Sequence, residues 1–219
     1  MVEAAASTPK RVRRNQTQRR TETNARLLDA TLECLIERGY SGTTTTEIEG
    51  RAGVSRGARL HYYPTKARLL SAAVAHLYGR IAARYAEAIE HVDPDGDRFH
   101  EGYRLLWDTY KDPAFAAVLE LLLAARTDPE LRAALQETSG GYQKDVRKRA
   151  NTYFPDLAHH DADGLLESLQ AMMTGLALQR LVFGDDGRRP LALDVVERMV
   201  NETFAPKATA AVTRKKAKG

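Results

Sequence analysis

Arg56, Arg59, His61, Tyr62, Tyr63 and Lys66 crowd into one short stretch, GVSRGARLHYYPTK (53–66), between a turn-forming glycine and the helix-ending Pro64. A buried helix carries fewer polar groups and an ordinary solvated helix fewer aromatics, so these residues suit a polar partner with flat edges. A guanidinium such as that of Arg56 can fork onto the O6 and N7 of guanine, worth about 1–3 kcal/mol of discrimination. Phenol and ammonium groups, here Tyr62 and Lys66, suit phosphate oxygens. Gly57 lets a helix approach a groove closely, and Leu60 shares the face of Arg56 and Gly57, where an apolar group meets a thymine methyl or a sugar.

Other chemistry finds less support. His159, His160, Asp161 and Asp163 form HHDAD, but adjacent histidines on a helix diverge by about 100° and miss the i, i+4 spacing of a helical zinc pair. An acidic helix start accounts for this run. Cys34 is the single cysteine; it excludes an internal disulfide and fits the apolar face of LLDATLECLI as a small core residue. With no nucleophile elbow and no phosphate loop, the chain reads as a non-enzyme that needs no cofactor.

The elements that must hold the opening stretch can be read from local signals. Residues 18–38 place Leu27, Leu28, Thr31, Leu32, Leu35 and Ile36 at helical spacing and stop at Gly39. TTTTEIEGRAG follows, with Thr44 or Thr45 as cap and Ile48 and Ala52 facing inward. Thr45 and Thr46 offer hydroxyls and free backbone N–H groups to phosphate. Gly53 breaks that helix, Ser55 caps the next, and Val54, Ala58 and either His61 or Tyr62 turn inward. Helix, short turn, helix is the arrangement whose second helix enters the DNA major groove.

The 219 residues carry a net charge of +4 that is unevenly spread, with residues 1–66 at +5, the last thirteen residues at +5 and the body between them near −6. A basic front suits a polyanion. The runs at 1–17 and 206–219 read as disordered basic segments, either reaching DNA or merely solubilising. No apolar run approaches a membrane span, and no signal-peptide core follows the first charges, which implies a cytoplasmic protein with no membrane partner.

The rest of the chain is helical, giving an all-α protein. A rod starts at Thr65 and ends before DPDGD. A helix over 97–126 is interrupted at Lys111, Asp112 and Pro113, and AFAAVLELLLAAR is its apolar continuation. Asp128 and Pro129 start another helix, which ends at Gly140–Gly141, and a further one runs from Tyr142 to about Tyr153. Helices over 161–183 and 191–204 carry apolar faces that either pair two copies in a four-helix interface or close the monomer core.

TTTTEIEGRAGVSRGARLHYYPTKARLL resembles the helix-turn-helix signature of the TetR family of transcriptional regulators. Threonines open one helix, AGVS makes the turn, and an aromatic cluster precedes a proline, a threonine and a lysine. The resemblance implies an N-terminal DNA-binding domain (18–66), a ligand-binding and dimerisation domain (67–205), and a homodimer through the two C-terminal helices. It also implies a palindromic double-stranded operator, a small effector and, in the family's commonest mode, repression. By resemblance Thr45, Thr46, Arg56, Gly57, Tyr62 and Lys66 fall on DNA-contacting positions. The family often has leucine then tyrosine where this chain has Arg59 and Leu60; Arg59 either reaches a phosphate instead or is solvated.

A pocket is implied around the interrupted helix. Its candidate lining is Tyr103, Trp107, Tyr110, Phe115, Leu119, Tyr142, Met172 and Met173, with the two methionines as an adaptable wall, and it favours an apolar or amphipathic effector. The competing reading is an architectural, nonspecific nucleic-acid binder drawn by its basic arms.

Overall fold

The structure, a computed structural model, describes residues 16–93, 98–154, 162–184, 194–196 and 198–199, and among these only helices occur as regular structure. They are α1 (Gln16–Gly42), α2 (Thr45–Ala52), α3 (Arg56–Tyr62), α4 (Lys66–Glu90), α5 (Arg98–Tyr110), α6 (Pro113–Ala124), α7 (Pro129–Tyr153) and α8 (Ala162–Phe183). The segments 1–15 and 200–219, most of the expected 191–204 helix and residues 159–161 of HHDAD lie outside the described residues. Residues 16 and 17, expected in the N-terminal arm, belong to α1.

Caps set the helix starts. Thr44, rather than Thr45, accepts from the Glu47 N–H at 3.3 Å; Thr65 caps α4, Asp112 caps α6 ahead of Pro113, and Asp128 caps α7 ahead of Pro129. The Lys111–Pro113 interruption therefore separates α5 from α6 as the sequence suggests. At Gly140–Gly141 the expectation fails, for α7 runs unbroken from Pro129 to Tyr153. Two glycines cost a helix about 1 kcal/mol each, and tertiary anchoring outweighs that cost. The Ser71 hydroxyl of α4 donates to the Ala134 carbonyl at 2.7 Å, and Arg149 donates to the Ala82 carbonyl at 3.4 Å.

Within α1, Gly39 has φ 67° and ψ −178°, a conformation almost confined to glycine. A Cβ there would stand 2.7 Å from both Glu120 carboxylate oxygens. A kink in the helix and a close approach thus coincide at one residue. Of the expected α1 face, Leu27, Leu28, Thr31, Leu32 and Leu35 are buried, while Ile36 is exposed.

Two apolar cores result. The larger joins α1, α2 and Val54 to α4, α6 and α7, from Leu27 and Ile48 through Leu70 and Val74 to Leu121 and Leu135. The smaller gathers Tyr103, Tyr110, Phe115, Leu119, Leu169, Met173, Ala177 and Val196.

Candidate nucleic-acid interface and ligand cavity

α2 and α3 are joined through Gly53, Val54 and Ser55. Gly53 adopts the left-handed conformation (φ 62°, ψ 40°) and returns its N–H to α2, and Ser55 accepts from the Ala58 N–H at 3.2 Å. α2 is fixed to α1 by buried Ile48 and Ala52 and by Arg51, which forks onto Glu37. α3 is fixed by Val54, by Tyr62, whose hydroxyl donates to the Arg20 carbonyl at 3.2 Å, and by Tyr63, whose hydroxyl donates to Asn24 Oδ1 at 2.8 Å. Tyr62, not His61, is the half-buried member of that pair.

This anchoring leaves Arg56, Gly57 and Leu60 exposed together, with Thr46 exposed and Thr45 half-buried at the start of α2. Arg56 has no ion pair or hydrogen-bonding side-chain partner among the described residues, so its full donor fork remains available.

Arg59 corrects both expectations held for it. Its side chain is only 7% exposed; Nε meets Glu49 Oε1 of α2 at 2.9 Å, and Nη1 donates to the Tyr63 carbonyl at 3.2 Å. It is neither solvated nor presented outward, because an apolar position on the inner face of α3 is filled by a cation neutralised from across the turn. Lys66 also turns inward. Nζ donates to the Tyr40 carbonyl at 3.3 Å and lies 4.5 Å from the centre of the Tyr40 ring, and burial lowers its ammonium pKa.

Tyr40 is the meeting point of front and body. Its N–H donates to Glu120 of α6 at 2.8 Å and its hydroxyl to Asp128, the α7 cap, also at 2.8 Å. The Leu131 N–H and this phenol together hold the Asp128 carboxyl below its usual range, while burial raises the phenol.

A cavity of about 390 Å³ lies among α4, α5, α6, α7 and α8. Of the expected lining, Tyr103, Tyr110, Phe115 and Tyr142 are on its wall, and Trp107, Leu119, Met172 and Met173 are not. Leu119 and Met173 are buried in the smaller core, with Trp107 packed against it, whereas Met172 is 37% exposed. The adaptable methionine wall is therefore absent.

Aromatics from α4 and α7 take its place. Tyr78 stacks on Tyr142 with ring centres 3.8 Å apart, and Tyr110 meets Phe115 at 4.2 Å. The Tyr85 hydroxyl donates to the Gly102 carbonyl at 3.2 Å. Gly102 is a close-approach position, since a Cβ would fall 2.6 Å from Phe154 Cζ and 2.8 Å from the Tyr85 hydroxyl. Burial drives the Tyr78 and Tyr110 phenols well above their ordinary range and also raises that of Tyr142, keeping all three neutral donors.

Comparison with known proteins sets these two sites in a family. Residues 27–73 match the model for bacterial regulatory proteins of the tetR family, and residues 101–202 match the tetracyclin repressor-like C-terminal domain. The helix-turn-helix-type regulator CymR of Pseudomonas putida is 37% identical over 126 residues, 58% of this chain and 62% of CymR. An uncharacterized regulator of the same type from Mycobacterium bovis is 32% identical over 137 residues, 63% of this chain and 70% of its own length. The chain belongs to the TetR family. A TetR-family regulator from Rhodococcus sp. shares the fold, with a TM-score of 0.64 at 22% identity over 80% of this chain and 98% of that one.

As a TetR-family member the chain is a DNA-binding transcriptional regulator and not an enzyme. The signature stretch spans residues 43–70, and the family match extends well into the body. Sequence reasoning missed Glu49, Tyr40, Tyr78, Tyr85 and Arg149 as site residues. Tyr78 and Tyr85 had a usable signal, lying seven apart on the rod helix. Among the described residues no group of three potential metal ligands occurs, and no helix is long and apolar enough to cross a membrane.

Proposed function

We propose that this regulator binds a palindromic operator as a homodimer and is released from it by a small apolar or amphipathic effector, so that it acts as a repressor. The observation carrying this reading is that α4 and α7 do two jobs. Both wall the cavity, and both are tied to the corner that carries α2 and α3, through Lys66 and Asp128 on Tyr40. Arg56 reads base edges, Gly57 and Leu60 flank it, Thr45 and Thr46 meet phosphates, and the Tyr62 hydroxyl exchanges the Arg20 carbonyl for a phosphate oxygen on binding.

Dimerisation is supported by exposed apolar side chains on α8. Leu178, Leu181, Val182 and Phe183 are 44%, 52%, 67% and 72% exposed, and Val195 and Met199, later in the chain, are exposed as well. Two recognition helices in such a dimer must stand about 34–36 Å apart to read one turn of DNA. A ligand that displaces α4 against α7 alters that separation and weakens binding.

Binding to random and to upstream genomic duplexes, measured across a salt series, tests the reading. A specific regulator retains a large preference for one palindrome at moderate salt. Equal affinity for random DNA, lost steeply with salt, would instead mark an architectural binder held by its basic arms.

A further inference from the structure

We infer that the cavity takes a flat aromatic molecule carrying a single negative charge, with its ring against the tyrosine walls and its anionic group on Arg149. The inference rests on the effector reading above only in calling that molecule the regulator's signal; the binding site itself stands on its lining.

Two observations define the chemistry. The walls are dominated by rings rather than branched aliphatics. Tyr78 and Tyr142 come from α4 and α7, Tyr103 and Tyr110 from α5, and Tyr153 and Phe154 from the end of α7 and beyond it. Flexible methionines, which would suit a bent aliphatic chain, are missing from the wall. Rigid ring faces favour offset or edge contacts with another planar ring, and about 390 Å³ is at the small end of ligand cavities.

The second observation is charge. Arg149 and Asp145 are the two ionic side chains on the wall. Asp145 is exposed, and its field is screened by water. Arg149 is half-buried and forms no ion pair with Asp145 or any other carboxylate among the described residues. Its hydrogen bond from Nη1 to the Ala82 carbonyl orients the guanidinium and leaves other N–H groups for a ligand. A carboxylate meets such a fork bidentately. Its charge is felt at the Tyr142 phenol, which it pulls back toward ionisation against the opposing effect of burial. The Tyr78, Tyr110 and Tyr142 phenols stay protonated, so they do not repel an anion.

Calorimetric titration of the full-length protein with three probes of one shape tests this: 2-naphthoate, its neutral amide 2-naphthamide, and 2-naphthylmethylammonium. Naphthoate is expected to bind about tenfold or more tighter than the amide, the least that a charge-assisted contact delivers, with the ammonium weakest. Arg149→Lys keeps that order; Arg149→Gln abolishes the preference while still binding the amide, which also shows that the variant is folded. Equal affinity for naphthoate and amide, a preference that survives Arg149→Gln, or no binding of any probe overturns the inference. Operator affinity with and without naphthoate is a separate readout. Naphthoate held by Arg149 without any change in operator affinity would refute naphthoate as the signal and leave the site assignment standing.

Discussion

Replacing Glu49 removes the carboxylate that neutralises Arg59 in the inner face of the helix-turn-helix, and the cost follows from the burial of both groups. Their side chains are 12% and 7% exposed, so neither charge can regain full hydration by a small rotation. Removing one partner of such a pair costs about 3–5 kcal/mol, a large share of a total stability of about 5–15 kcal/mol. Glu49→Ala and Arg59→Leu should each lower the unfolding free energy extrapolated from urea titration by that amount. The double variant Glu49→Ala/Arg59→Leu buries no charge and should return close to the parent stability, because replacing a buried pair by apolar residues is often neutral. Circular dichroism of all four proteins closes the cycle. DNA binding supplies the second arm: since the Arg59 guanidinium faces Glu49 and the Tyr63 carbonyl, the double variant should keep the parent's salt slope. A phosphate contact at Arg59 would lower that slope by about 0.9 per protomer. Single variants costing under about 1 kcal/mol, or a reduced slope in the folded double variant, would refute the reasoning.

Arg56→Ala should leave thermal stability within about 0.5 kcal/mol yet relax base preference at one operator position by about 1–3 kcal/mol, as read by binding to single-base operator variants. Gly39→Ala forces a Cβ onto Glu120 at positive φ and should cost about 1–3 kcal/mol in chemical denaturation; an unchanged midpoint would remove the claim of strain. The cavity phenols make stability pH-dependent in a defined direction. The folded state keeps Tyr78, Tyr110 and Tyr142 protonated above the ordinary value of 10.0 while the unfolded chain ionises there, so stability falls as pH rises past about 10. Absorbance at 295 nm should show these three resisting ionisation until alkaline unfolding, and a single midpoint near 10 for all nine tyrosines in the folded protein would contradict it.

What was legible in the sequence was local. Ser55, Thr65 and Asp128 announce helix starts because a cap acts within three residues, and Gly53 announces its turn because only backbone conformation is at stake. The exposed set Arg56, Gly57 and Leu60 followed from helical spacing alone. Long-range pairings were not legible. Arg59 meets a glutamate ten residues earlier across the turn, although a charge at a position where the family often has leucine was itself a signal. Tyr78 and Tyr142 stack although 64 positions separate them. Periodicity marked Met172 and Met173 equally, but only the packing of α8 decides that Met173 is buried and Met172 is not. Gly140–Gly141 read as a stop because its local cost is visible and the anchoring of α7 along α4 is not.

The division of the interior into two cores changes where this molecule gives way. The larger core crosses residue 66 without interruption, so α1, α2, α4, α6 and α7 share one body of apolar contacts. The cavity wall draws Ile81 from that core and Tyr103, Tyr110, Phe115 and Leu169 from the other. The seam of the protein therefore runs along the cavity, and not between the helix-turn-helix and the body. In amide exchange the chain should open as two cooperative units divided there, with the DNA-reading end protected together with the helices on which it rides.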